Sequence, residues 1–146
     1  MSQAKRRRSA HLDAAEYQQL ASFRYALRSF LRFSEVAAET VGLTAQQYQA
    51  LLAVCASAGH VTINDLAQQL LIRHNSAVGL VDRLTAQGLL AREPSAQDGR
   101  KVYLRLTAKG DRVLEKLAEV HREELRRIGP QLEALLHDIT GASTTP

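Results

Sequence analysis

The residues with the most legible chemistry form two short polar clusters. Arg73-His74-Asn75-Ser76 is an uninterrupted polar run, and the apolar residues after it, Ala77, Leu80, Val81 and Leu84, recur at helical spacing. A helix that exposes such a run at its start can lay it against base edges. Arg and Asn pair bidentately with guanine and adenine in the major groove, and Ser adapts to either. Val78 joins the set as a further residue of the same helix expected to address the groove. The second cluster is Asp98-Gly99-Arg100-Lys101, in a polar loop between two extended stretches. Arg is drawn to the negative potential of the minor groove, and Asp98 is placed to orient a neighbouring guanidinium. Each cluster also has a plainer reading, as a solvated helix start and as a turn chosen for backbone geometry.

The elements that must carry these clusters follow from capping and periodicity. Asp13 with Glu16, and Thr44 with Gln47, have capping-box spacing and predict two helix starts, with Gly42 and Gly59 as stops. The first helix carries a seam of Leu20, Phe23, Leu27 and Phe30, and the second carries Tyr48, Leu51, Leu52 and Cys55 on its apolar face. Val61 and Ile63 predict a very short extended stretch. A short helix over 64–70 and another over about 74–87 follow, stopped by Gly88. Segments 89–93 and 101–106 then read as a hairpin, with Val102, Leu104 and Leu106 on one face. Thr107 opens a further helix, which the pair Gly129-Pro130 is expected to break, leaving a short last helix with Leu132, Leu135, Leu136 and Ile139. Two short helices joined by a tight turn, with a hairpin directly after them, describe a winged helix-turn-helix. The expected class is α+β, mostly helical.

Composition narrows the function classes. The chain has 146 residues, 45% hydrophobic and 23% charged, which fits one globular domain. The net charge of +4 comes entirely from Lys5-Arg6-Arg7-Arg8; the rest balances, fifteen cations against fifteen acids. This short basic arm reads either as a nucleic-acid contact or as a solvated tail. No apolar run approaches the ~18–20 residues of a membrane span, and no signal core follows the basic start. A single cysteine, Cys55, excludes an internal disulfide and fits a cytoplasmic protein. Placed near a helix C-terminus on an apolar face, Cys55 is expected to be a buried structural residue. The five histidines, His11, His60, His74, His121 and His137, share no ligand spacing, and no nucleophile–base pair, phosphate loop or acidic dyad is recognisable. Neither an enzyme, a metal site nor a cofactor is expected.

Residues 66–110, "LAQQLLIRHNSAVGLVDRLTAQGLLAREPSAQDGRKVYLRLTAKG", resemble the core of the MarR (multiple antibiotic resistance regulator) family. The resemblance rests on Leu80-Val81-Asp82-Arg83-Leu84, Gly88-Leu89, the wing residues Asp98 and Arg100, and Leu104-Arg105-Leu106-Thr107 with Gly110; Gly42-Leu43-Thr44 and Gln47 extend it. It implies a ligand-responsive, sequence-specific regulator of transcription, most often a repressor, binding double-stranded operator DNA as a homodimer. It places the dimerisation helices at about 13–41 and 107–139 and the DNA-binding lobe at about 44–106, within one domain at 12–140; the flanking residues 1–11 and 141–146 read, from their own composition, as disordered tails. Arg73, His74, Asn75, Ser76 and Val78 would then address the major groove, and Arg100 with Asp98 and Lys101 the minor groove. Departures are Leu71 at a turn position where relatives often carry Gly, Arg73 at the helix cap, and Gly79 within the reading helix. The resemblance also implies a small aromatic or anionic effector, for which Arg24 and Arg28 (with Arg32 continuing the stripe) and the aromatics Tyr25, Phe30 and Tyr48 are candidates. A solvated arginine face paired with acids such as Glu35 is the plainer account of that stripe. Two rival functions use the same residues: a sequence-nonspecific architectural protein held by its basic tail, and an interaction module that no longer binds DNA.

Overall fold

The computed structural model describes residues 11–141; the basic arm at 5–8, most of the expected N-terminal tail and residues 142–146 lie outside the described residues. The chain runs α1 (Ala14–Glu39), α2 (Ala45–Ala56), α3 (Ile63–Leu70), α4 (His74–Ala86), β1 (Leu90–Pro94), β2 (Val102–Leu106) and α5 (Ala108–Thr140). It is a mostly helical α+β winged helix. Both expected capping boxes form: the Glu16 N–H reaches Asp13 at 2.8 Å, and the Gln47 N–H reaches Thr44 at 3.1 Å.

Two antiparallel strands make the only sheet among the described residues, in the register Leu90↔Leu106 to Pro94↔Val102. Leu90, Leu104 and Leu106 are buried at the root of this hairpin, where they join Leu51, Val61, Leu66, Leu80 and Leu84 in one core. Val102 departs from the expected inward face: it is exposed, because the outer half of the hairpin projects beyond the core that its root covers.

Several local expectations give way to tertiary context. Ile63 is helical, not extended. Thr62 caps α3 through a third capping box, with Asp65 in the role usually given to Glu or Gln. What remains of strand character there is one bond, from the Leu104 N–H to the Val61 carbonyl at 2.9 Å. Helix α5 is continuous through Gly129 and Pro130. A helical residue before proline normally clashes through its Cβ, and Gly129 has none; Pro130 forfeits one backbone bond while Ile128 and Leu132 stay seated opposite Ala26 and Phe30 of α1.

The seam on α1 is two faces. Phe23, Phe30 and Phe33 are half-buried and Ser34, Ala37 and Ala38 buried on the inward side, whereas Tyr17, Leu20, Leu27 and Leu31 stand exposed on the adjacent side. Cys55 is also exposed, which corrects the expectation of a buried thiol: it shares with Leu52 a side of α2 that faces solvent.

Candidate DNA-reading surface

Helix α4 buries Ala77, Leu80, Val81 and Leu84, all at 1% exposure or less, and this fixes which way its other side points. Arg73, His74, Asn75 and Ser76 are all exposed at its N-terminal end, and Val78 is half-buried at the rim. Arg73 is the N-cap, with extended backbone and no side-chain capping bond, so its guanidinium is not drawn back onto the helix. The preceding turn is made by Leu71, which sits in the left-handed region (φ +56) while 92% of its surface is exposed. A non-glycine residue there is strained by about 1–2 kcal/mol, so the sharp entry into α4 is not chosen for local stability.

The wing loop is organised by its own backbone. The Ser95 hydroxyl accepts from the N–H groups of Gln97 and Asp98 at 3.2 and 3.1 Å, and the Lys101 N–H reaches the Asp98 carbonyl at 3.0 Å. Asp98 does not orient a guanidinium, as its spacing suggested; its carboxylate accepts the backbone N–H of Arg100 at 3.1 Å. The effect is to shape the turn and leave the Arg100 side chain free. Arg73, Arg100 and Lys101 are exposed, and none is in an ion pair among the described residues.

Between the start of α4 and the wing lies an open cleft of about 430 Å³, bordered by Thr62, Asn64, Asp65, His74, Arg100 and Lys101. The two polar clusters, at least 22 residues apart in sequence, thus share one surface. Asn64 is the residue that motif reasoning missed; it lies one position past the start of α3 and could be found only once α3 was placed beside the wing. The Asp65 carboxyl is held below the usual carboxylate range by hydrogen bonds from the Thr62 N–H and hydroxyl, with Lys101 adding a smaller push in the same direction. Asp82 of α4 pairs with Arg92 of β1, tying α4 to the hairpin along the outside.

The candidate effector residues do not converge. Tyr25 and Phe30 line a small cleft of about 190 Å³ with Glu124, Arg127 and Ile128. Arg24 and Arg28 are exposed and lie outside its lining, and Arg32 pairs with Glu35 at 3.1 Å. Tyr48 is committed to the core: its ring stacks on His121 at 4.2 Å between centroids, and burial pushes its hydroxyl pKa up. His121, one of the five histidines without ligand spacing, is buried and bonds to the Leu117 carbonyl at 2.7 Å and to the Ser34 hydroxyl at 2.8 Å. A carbonyl can only accept, so Nδ1 carries the proton, and in the neutral ring Nε2 accepts from Ser34. A second cleft of about 430 Å³, mostly apolar, lies between α1 and α5 and is lined by Phe33, Val36, Val41, Leu117 and Val120, none of them a candidate from sequence. Among the described residues no cluster of three or more His, Cys, Asp or Glu could hold a metal ion, and no helix is long and apolar enough to cross a membrane.

The MarR family model matches residues 41–101, the stretch from α2 to the wing. The HTH-type transcriptional regulator FarR of Neisseria gonorrhoeae is 35% identical over 77 residues, 53% of this chain and 52% of that protein. The transcriptional activatory protein BadR of Rhodopseudomonas palustris is 33% identical over 85 residues, 57% of this chain and 49% of that one. The chain thus spans about half the length of the curated relatives it matches. In overall fold it is similar to the S. aureus MepR F27L mutant bound to an oligodeoxyribonucleotide, with TM-score 0.65 and 22% identity over 86% of this chain and 96% of that one. It is similar also to AbsC, a MarR family transcriptional regulator from Streptomyces coelicolor, with TM-score 0.71 and 23% identity over 82% of this chain and 81% of that one. With its winged helix and its match over residues 41–101, this chain is similar to the MarR family.

Proposed function

We propose that this chain is a cytoplasmic, homodimeric, sequence-specific DNA-binding regulator of transcription, a repressor whose affinity for DNA is set by a small ligand, and that it acts by binding and not as an enzyme. The observation that carries the reading is the shared surface: exposed polar residues at the start of α4, and an exposed Arg100 on the wing beside them that is in no ion pair among the described residues. A helix in the major groove with a wing in the adjacent minor groove leaves one strand of phosphates crossing between them. Asn64, His74 and Lys101 border that crossing and address the backbone, whereas Arg73, Asn75 and Ser76 face base edges, with Val78 as an apolar contact. Arg100, its turn shaped by Asp98, enters the minor groove. Dimerisation is supported by the second face of α1, where Tyr17, Leu20, Leu27 and Leu31 have no cover among the described residues, and by Leu125 and Leu136 on α5. For the effector, the mostly apolar cleft between α1 and α5 suits a small aromatic ring better than the scattered arginines do.

Selection of bound sites from random duplexes tests the reading. It is expected to return an inverted repeat, its half-sites one helical turn or a multiple apart, bound ~10³-fold or more tighter than unrelated DNA. Enrichment of no sequence would reject sequence-specific reading, and retention of all duplexes alike would favour the architectural rival.

A further inference from the structure

Three consecutive backbone carbonyls just past the end of α4 all accept hydrogen bonds from the beginning of α5. The Lys109 ammonium donates to the Gln87 carbonyl at 2.9 Å, the Thr107 hydroxyl to the Gly88 carbonyl at 2.5 Å, and the Thr107 N–H to the Leu89 carbonyl at 3.1 Å. The last turn of α4 has already closed on itself, with the N–H groups of Gln87, Gly88 and Leu89 bonded back to Arg83, Thr85 and Leu84. What α5 captures is therefore the outer row of carbonyls, where water would otherwise serve. Lys109 also sets a positive charge against the negative end of the α4 dipole. Gly110 makes the approach possible: a Cβ there would lie 2.1 Å from the Leu89 carbonyl oxygen. Thr107 works in both directions, since its hydroxyl also accepts the Gly110 N–H at 3.0 Å and so caps α5. The hairpin leaves and re-enters the fold between these two segments, so its root is held by the same contacts.

This joint stands where the chain would otherwise be free to pivot. Gly88, at φ +72, has no side chain to brace it, and among the described residues nothing lies within 4 Å of where a Cβ would be. Helix α4 has 13 residues, a length of roughly 20 Å at 1.5 Å per residue. A swing of ~10° at its clamped end would carry the reading end by ~3 Å, close to the 3.4 Å step between base pairs. A loose joint would thus blur the spacing at which two copies read two half-sites.

We infer that residues 87–89 and 107–110 form a rigid knuckle through which α5 fixes the direction of α4 on DNA, with Thr107, Lys109 and Gly110 as positioning residues. The inference rests on the DNA reading of α4 given above. It makes α5 the element through which a change at the dimer helices reaches the reading end of α4.

The test compares an operator obtained by site selection with the same operator whose two half-sites are moved apart by one base pair. The wild-type dimer is expected to lose ~10-fold or more in affinity on the insertion. The doubly substituted Thr107→Val/Lys109→Ala protein is expected to lose at least ~3-fold less than wild type, and Thr107→Ser to keep the wild-type ratio. Lys109→Ala alone, at an exposed position, carries the test if the double variant does not fold. An unchanged spacing ratio in a folded dimeric variant overturns the knuckle. A DNA-free measurement separates this from failure of the DNA reading itself. Spin labels at Arg83→Cys and Glu115→Cys, in a Cys55→Ser background, report the α4–α5 distance; the distribution broadens when Thr107 and Lys109 are replaced. An equally narrow distribution in the variant overturns the inference even if no operator has been found.

Discussion

Gly110→Ala and Gly79→Ala are the same chemical change in two helices, and the structure gives them opposite signs. A methyl at Gly79 would meet nothing nearer than the flexible Arg83 guanidinium at 3.8 Å, an ordinary contact. Replacing an interior helical glycine there restricts the unfolded chain and favours the helix, a gain of about 0.5–1 kcal/mol. At Gly110 the added Cβ would lie 2.1 Å from the Leu89 carbonyl oxygen and 3.4 Å from a Leu106 methyl, and that separation must open beyond 3.0 Å. The obstacle is backbone, held by the Thr107 N–H at 3.1 Å, so it cannot swing aside as a side chain does. Overpacking of this kind costs about 1–3 kcal/mol, enough to exceed the helix gain. The expected net is a loss of about 1–2 kcal/mol for Gly110→Ala. Urea denaturation at one fixed protein concentration measures both, so that any self-association is the same for the two variants. A Gly110→Ala protein as stable as Gly79→Ala would show that α5 does not approach Leu89 as closely as described.

Two further expectations concern α3 and the turn before α4. Leu71→Gly should raise the unfolding free energy by about 0.5–1 kcal/mol, because relief of left-handed strain outweighs the entropy of a glycine and the exposed side chain loses no burial; a lower urea midpoint would contradict this. Asp65 has its pKa lowered in the folded chain, so its contribution is full above the unfolded value of ~3.9 and is lost as pH falls through the lower folded one. Asp65→Asn should therefore flatten the acid limb of stability against pH, and an unchanged limb would remove Asp65 from the account.

The parts of this fold that local sequence specifies were the parts it made legible. Asp13 with Glu16 and Thr44 with Gln47 each complete a bond pair within four residues, so spacing alone announces the helix starts. Thr62 with Asp65 does the same chemistry one methylene shorter and was passed over for a strand. Gly129-Pro130 is a local stop signal that long-range packing overrides, and its glycine, read as a breaker, is what lets the helix continue. The two polar clusters were visible because a buried α4 face leaves one exposed end, yet their shared cleft depends on α3 and the wing meeting in space. Nothing in the spacing of Ser34 and His121, 87 residues apart, foretells their hydrogen bond, nor that Tyr48 is taken up by stacking on the same ring. An apolar face predicts a buried Cys55, but apolar is not the same as inward: α2 turns Leu52 and Cys55 outward.

The central claim, that α4 reads bases while the wing reads the groove, is tested most directly by affinity for a panel of single-base operator variants. Asn75→Ala is expected to relax preference at one position in each half-site, a loss of ~1–3 kcal/mol of discrimination there and little elsewhere. Arg100→Ala is expected to weaken binding to every variant alike, because minor-groove entry responds to width and potential more than to base identity. The contrary pattern, uniform weakening from Asn75→Ala and altered base preference from Arg100→Ala, would reverse the roles of helix and wing; no effect from either would mean that DNA is not bound through this surface.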